Sequence, residues 1–300
     1  MAKKKKSGSI AVPYLPTIFI GIIVVGGGAL YALKHLGIID GDDTLPEPPK
    51  RQIATATYED NHSILFIYDE PSKKNSTSFL LMRSVPKDKK LVFIGIPTNT
   101  IAIVDDTQQS MLSAYETGGA SGAVNFTNKV FGIEIERYMK VNSAALIKIC
   151  DILGGVSYPV AEDIAGFNGD GSEQYLNSEQ VEKLITYSLY SDGEIERAYI
   201  ISSVFSAMVN QNVGLRIADN FDTSFKTVIN MVDTDITAVD YTKRKTGIKS
   251  MLERGNAIAS FLIINGEGAY EDFIPDEDFF ADLRERYYSY DESRKSDSDE

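Results

Sequence analysis

Between residues 52 and 265, short apolar runs of strand length alternate with stretches in which apolar residues recur at helical spacing. Residues 63–68 (SILFIY), 78–83 (SFLLMR) and 91–96 (LVFIGI) are apolar nearly throughout, and the turn-rich segments DEPSKKNST and SVPKDKK join them. That pattern predicts three strands joined by turn-rich segments. Helices are expected over 108–117 and 123–130, ending at Gly118 and Gly132, and residues 133–141 (IEIERYMKV) read as a further strand. Asn142 can cap a helix in which Ala145, Leu146, Ile149, Cys150 and Leu153 keep helical spacing, and Gly154 stops it. Residues 156–160 then return as a strand, which predicts a β-α-β crossover. Asn177 and Gln180 have capping-box spacing. Asp192 caps a longer helix with an apolar stripe of Ile195, Tyr199, Val204, Phe205 and Met208. Strands alternating with helices in this way predict a layered α/β domain with a mixed sheet.

The start of the chain has a different grammar. Lys3, Lys4, Lys5 and Lys6 precede a run without any charged residue from Ala11 to Leu33, 23 positions in all. Such a run is long enough for a helix to cross a hydrocarbon core of about 30 Å. Tyr14 and Tyr31 stand near its ends, where aromatic rings with polar tips suit the interface. The lysine bias places the N-terminus in the cytoplasm and the rest outside. A cleaved secretory signal competes with this reading through the small residues Gly26, Gly27, Gly28 and Ala29. The apolar run, however, exceeds a signal core of about 7–15 residues. The expected organisation is a basic cytoplasmic segment at 1–10, one transmembrane helix at 11–35, a proline-containing linker at 36–51, an extracytoplasmic domain at 52–265 and an acidic C-terminal tail at 266–300. Within that tail, residues 270–290 could form a short amphipathic helix that docks on the domain.

Composition narrows the chemistry. Cys150 is the only cysteine, so neither an intrachain disulfide nor a CxxC zinc site can form. His62 is the one histidine outside the membrane-proximal segment, and in EDNHS it reads as a turn residue rather than part of a Ser/His/Asp set. Residues 37–300 hold 25 basic and 43 acidic side chains. This acidic surplus repels nucleic acid, so no nucleic-acid partner is expected.

The order of LVFIGIPTNT (91–100), MLSAYETGG (111–119), VFGIEIERYMKVN (130–142), DILGGVSYPV (151–160) and YLNSEQVEKLITY (175–187) resembles the LytR-CpsA-Psr family. The resemblance runs from residue 78 to residue 211. It implies an extracytoplasmic three-layer α/β/α domain with an apolar tunnel for a polyprenyl tail. It also implies transfer of glycopolymer from polyprenyl pyrophosphate to peptidoglycan. That reaction calls for arginine forks and a divalent ion on the leaving pyrophosphate.

At its charged positions the sequence departs from the family. Where the family reads Ile-Pro-Arg-Asp-Thr, this chain has Ile96, Pro97, Thr98, Asn99 and Thr100; where it places a metal-binding acid before the second strand, this chain has Thr77. The family lysine falls near Ser110. The Tyr-x-Arg-x-Arg motif is met by Tyr187 without either arginine, and in the next element Glu194 replaces the acid while Arg197 alone keeps its chemistry. The ligand-binding residues implied are therefore Thr98, Asn99, Tyr187, Glu194 and Arg197, with no catalytic or metal-binding residue assigned. A solvated charge on an amphipathic helix is the competing reading of Arg197.

Losing even one transition-state donor costs roughly 10²–10³ in rate, so an unchanged mechanism is not expected. Three readings follow. The first is a membrane-anchored, catalytically degenerate binder of a polyprenyl-linked or wall ligand or of another envelope protein, needing no cofactor. The second is a divergent glycopolymer phosphotransferase, which would require magnesium. The third is a structural surface protein. An open apolar tunnel beside Thr98 and Arg197 favours the first two, and a collapsed one the third.

Overall fold

The structure is a computed structural model that describes residues 55–211, 214–254, 257–268 and 271–291. The expected basic segment, membrane helix and linker, and the tail beyond 291, lie outside the described residues. Among the described residues no helix is long and apolar enough to cross a membrane.

In chain order the elements are β1 (His62–Tyr68), β2 (Ser78–Val85), β3 (Lys90–Ile96), β4 (Ile101–Val104), β5 (Thr107–Ser110), α1 (Met111–Phe131), β6 (Arg137–Val141), α2 (Ser143–Leu153), β7 (Val156–Pro159), β8 (Glu173–Leu176), α3 (Ser178–Ile185), α4 (Gly193–Asn210), α5 (Gly214–Asp219), α6 (Phe221–Ile229), β9 (Asp233–Thr234), α7 (Ala238–Arg254), β10 (Ala259–Leu262), β11 (Gly266–Glu267), β12 (Ile274–Pro275) and α8 (Glu277–Tyr287). The fold is α/β around a mixed six-stranded sheet of order β10-β3-β2-β1-β6-β9. β1 runs parallel to β6 and β3 parallel to β10, while β2 is antiparallel to both β1 and β3.

The near-continuous apolar strands have their explanation in cover on both faces. Leu65 and Ile67 of β1 join a core with Met111, Phe126 and Phe131 of α1 and Phe280 of α8. Phe66 and Tyr68, one residue out of phase, join the opposite core with Leu146 of α2, Leu184 of α3 and Phe205 of α4. Each buried side chain of this size contributes about 1.5–3 kcal/mol relative to exposure. Cys150 sits in the second core, and burial pushes its thiol up to about 12.

Local signals hold at the starts of α2 and α3, while Asp192 before α4 makes no side-chain cap bond. Asn142 Oδ1 accepts from Ala145 N at 2.9 Å, and Asn177 and Gln180 form the reciprocal capping box of α3. Three expectations change. The two helices expected over 108–130 are present within α1, divided at a kink by the non-helical Gly119 (φ 61°, ψ −152°), but the first starts at Met111 because residues 108–110 belong to β5. β6 starts at Arg137 rather than residue 133, because Ile135 N donates to Asn128 Oδ1 and caps the preceding turn instead. β7 is not a crossover strand of the main sheet. It pairs antiparallel with β8 in a separate ribbon.

The boundary expected at residue 265 does not divide the packing. Phe273, Phe280, Leu283 and Tyr288 are buried in the same core as β1 and α1, and the Phe131 and Phe280 rings lie 4.5 Å apart.

Candidate functional site at the carboxyl edge of the sheet

Because β1, β3, β6 and β10 point the same way, their carboxyl ends share one edge, where open α/β sheets place ligands. Thr98 follows β3 there. Its carbonyl accepts from Leu112 N at 3.0 Å, and it is 7% exposed. Its hydroxyl donates to Glu194 Oε2 at 2.6 Å. Arg197 Nη2 donates to the same oxygen at 2.5 Å and to the Thr77 carbonyl at 2.9 Å, while Nη1 donates to the Asn75 carbonyl at 2.6 Å.

Thr98, Glu194 and Arg197 are thus brought together, with the backbone before β2, into a closed clasp. Arg197 is 4% exposed, which overturns the reading of a solvated surface charge. The amphipathic pattern of α4 concealed this because the guanidinium folds inward onto carbonyls about 120 positions away in sequence. Asn99 stands at the same edge, where its carbonyl accepts from Phe273 N at 3.0 Å. The Tyr187 ring meets Tyr190 edge-on at 5.0 Å.

Sequence reasoning missed a second polar group along this edge. Tyr68 and Ser143 each donate a hydroxyl to Glu182 Oε1 at 2.8 Å, and Lys73 pairs with that same oxygen. Burial opposes ionisation of Glu182, but the hydrogen bonds from Lys73, Tyr68 and Ser143 together hold its carboxyl below the ordinary value. Next to it, Asp69 Oδ2 accepts from the Tyr115 hydroxyl at 2.6 Å and pairs with Lys140 at 3.0 Å. The Tyr115 oxygen and Asp69 hold the Lys140 ammonium above its ordinary value against desolvation. A signal was present in the sequence: Asp69 closes the SILFIY run and Lys140 ends the IERYMKV strand, so both charges fall at strand ends.

Chemically the edge is a set of matched pairs. Lys73, Lys140 and Arg197 each face a carboxylate of the same chain. Stabilising a departing pyrophosphate requires cations aimed at the substrate rather than at internal partners. A magnesium ion fits poorly as well: the Asn75 and Thr77 carbonyls, oxygens a metal could use, accept from a guanidinium, which repels another cation. Beside Thr98, the cavity bounded by Gly95, Pro97, Ala198 and Tyr199 measures only about 10 Å³, no more than one water needs. The cause is a close approach of α4 to β3. A Cβ on Gly95 would lie 1.9 Å from the Ala198 carbonyl oxygen.

Comparison with known proteins agrees with this geometry at the level of fold. The model of the LytR_cpsA_psr family matches residues 42–278. The chain belongs to the LytR_cpsA_psr family. Among its relatives is a protein of Bacillus licheniformis named polyisoprenyl-teichoic acid–peptidoglycan teichoic acid transferase TagU, 25% identical over 268 residues that cover 82% of this chain and 84% of that protein. The Bacillus subtilis protein of the same name is 23% identical, over 78% of this chain and 80% of its own length. The crystal structure of Bacillus subtilis TagV superposes with a TM-score of 0.62 at 19% identity, covering 78% of this chain and 98% of that one. The LytR_cpsA_psr match ends at residue 278, at the start of α8, and so runs past the boundary expected at residue 265.

Proposed function

We propose that this chain is a cell-envelope member of the LytR_cpsA_psr family, held in the membrane by residues 11–35 with its domain outside. In this reading it engages a wall ligand or another envelope protein without transferring polymer. The observation that carries the reading is the Arg197 clasp. The one family arginine retained in the sequence is 4% exposed and bonded to Glu194, Asn75 and Thr77. It therefore braces α4 against the start of β2, and Thr98 offers its hydroxyl inward to Glu194 rather than outward. The narrow space beside Thr98 argues against transfer and against a lipid-linked ligand at this edge, because a prenyl phosphate cannot enter there without separating α4 from β3, and it favours the reading as a surface interaction protein. The names of the relatives support an envelope role and a polymer partner. The residues at the edge weigh against catalysis.

The deciding experiment places the full chain in proteoliposomes with a polyprenyl-pyrophosphate-linked glycopolymer, magnesium and peptidoglycan. Polymer on the peptidoglycan should not exceed that with heat-inactivated protein. Transfer above that control, abolished by Lys140→Ala, would establish the phosphotransferase instead.

A further inference from the structure

At the opposite end of the sheet, where β1 begins and β2 ends, three distant segments converge on an open cleft of about 340 Å³. Tyr58 comes from the start of the domain, Asp88 from the β2–β3 turn, and Tyr287, Ser289 and Tyr290 from the segment ending α8; Asn61 also lines the cleft. β2 spans eight residues between this end and the Thr98 edge, about 23 Å at strand rise, so the two places are independent. The volume lies at the low end of the range for small-ligand sites, about 300–1,000 Å³.

The walls are held in place before any ligand arrives. Arg83, fully buried under β2, donates from Nε and Nη2 to the Tyr287 carbonyl at 3.1 and 2.9 Å and from Nη2 to Asp291 at 2.5 Å. On the other wall, the Tyr58 hydroxyl donates to Asp88 Oδ1 at 3.3 Å, the Tyr58 and Tyr290 rings lie 4.6 Å apart, and Lys87 stands 3.9 Å over Tyr58. Asn61 is 5% exposed, and its Oδ1 has no hydrogen-bond partner among the described residues. An oxygen left this way costs stability. Asn61 lines the cleft, so a ligand hydroxyl there is a partner for this acceptor.

We propose that this cleft binds a neutral saccharide unit. Phenol rings and Val85 supply apolar surface for the C–H face of a sugar ring, while Asn61, Asp88, Ser289 and the tyrosine hydroxyls supply donors and acceptors for its hydroxyls. The charges at the cleft are mixed. Asp88 lines it, Arg286 at its rim is paired with Asp282 at 2.6 Å, and Lys87 and Lys90 stand 3.9 and 5.7 Å over the Tyr58 and Tyr287 rings. The exposed phenol faces flanked by hydroxyl and amide groups, rather than a concentration of one charge, are what favour an uncharged glycan. This inference goes beyond the reading of the Thr98 edge and does not depend on it.

The test is saturation-transfer NMR and calorimetry on the full chain in nanodiscs, with the N-acetylglucosamine tetramer as probe and poly(glycerol phosphate) as the anionic comparison. The tetramer should bind, and Tyr58→Ala or Tyr290→Ala should weaken it at least about tenfold, the scale of one lost aromatic contact. Ser289→Trp, an exposed substitution that fills the cleft without removing a contact, should do the same with an unchanged melting temperature. Tyr58→Phe should keep most of the affinity. Absence of tetramer binding, or binding indifferent to these variants, would overturn the proposal. So would binding lost in Thr98→Val but kept in Ser289→Trp, which would put the sugar at the other edge. Preference for poly(glycerol phosphate) would overturn the neutral class.

Discussion

The Thr98 hydroxyl and the Arg197 guanidinium converge on one oxygen, Glu194 Oε2, at 2.6 and 2.5 Å. That shared acceptor turns a position expected to face a ligand into an internal strut between β3, α4 and the start of β2.

Arg197→Met should therefore act on stability first. It leaves Glu194 and the Asn75 and Thr77 carbonyls without their donor, and breaking a buried pair costs about 3–5 kcal/mol. Thr98→Val removes one hydrogen bond and should cost about 1 kcal/mol. Urea unfolding midpoints measure both. If Arg197→Met leaves the midpoint unmoved, the clasp is not structural.

Restoring the family residues with Thr98→Arg and Asn99→Asp should not restore a site. Thr98 is 7% exposed, and an arginine there brings a second guanidinium beside Arg197 with Glu194 as their common acid. Two buried like charges sharing one partner should lower stability by at least about 2 kcal/mol. For the unmodified protein, magnesium calorimetry should show no micromolar binding, since hydroxyl and amide oxygens hold hard cations weakly. A micromolar magnesium site abolished by Asn99→Ala is the result that contradicts this.

What could be seen in the sequence depended on how local its cause was. The caps at Asn142 and Asn177 were legible because donor and acceptor lie three residues apart. The alternation of apolar runs and helical stripes gave the α/β class for the same reason. The pairing of β7 with β8 was not legible, since an apolar five-residue run has the same appearance in a sheet or a ribbon. Nor was the fate of Arg197. Its spacing on α4 matches a surface position, and only the arrival of the loop carrying Asn75 and Thr77 makes it internal. The lip residues Thr98 and Glu194 were found by their resemblance, but the direction of the Thr98 hydroxyl is a tertiary fact.

His62 makes stability depend on pH. Desolvation of this half-buried ring, aided by the Arg244 and Arg83 charges, brings its pKa from 6.5 to about 4, although Nδ1 donates to the Asp60 carbonyl at 3.0 Å. The unfolded chain takes up the proton first, so the contribution is complete above pH 6.5 and is lost as pH falls toward 4. The loss should be roughly 1–3 kcal/mol between those limits, and His62→Gln should remove that part of the profile. Parallel pH profiles for the two proteins would show that His62 titrates normally.

The C-terminal segment should be indispensable as far as residue 291. Arg83, wholly buried, is neutralised by Asp291 at 2.5 Å, donates to the Tyr287 carbonyl and lies 4.1 Å over the Tyr288 ring, whose hydroxyl bonds Ser63 Oγ at 2.9 Å. Ending the chain at Asn265 would leave that charge inside the fold without any of these partners, and would uncover Phe131 where Phe280 now covers it. An uncompensated buried charge costs about 3–5 kcal/mol, comparable with the whole stability of a small domain, before the lost apolar burial is added. The truncated chain should show no cooperative melt. Ending the chain at Asp291 removes residues 292–300, all of them charged or serine in the sequence, and should leave the melting free energy within about 0.5 kcal/mol of the full chain. Arg83→Met separates charge from packing: paired with Asp291→Asn, which removes the acid left behind, it should recover part of what Arg83→Met alone loses. A cooperative melt from the chain ending at Asn265 would show instead that residues 266–291 rest on a domain already complete without them.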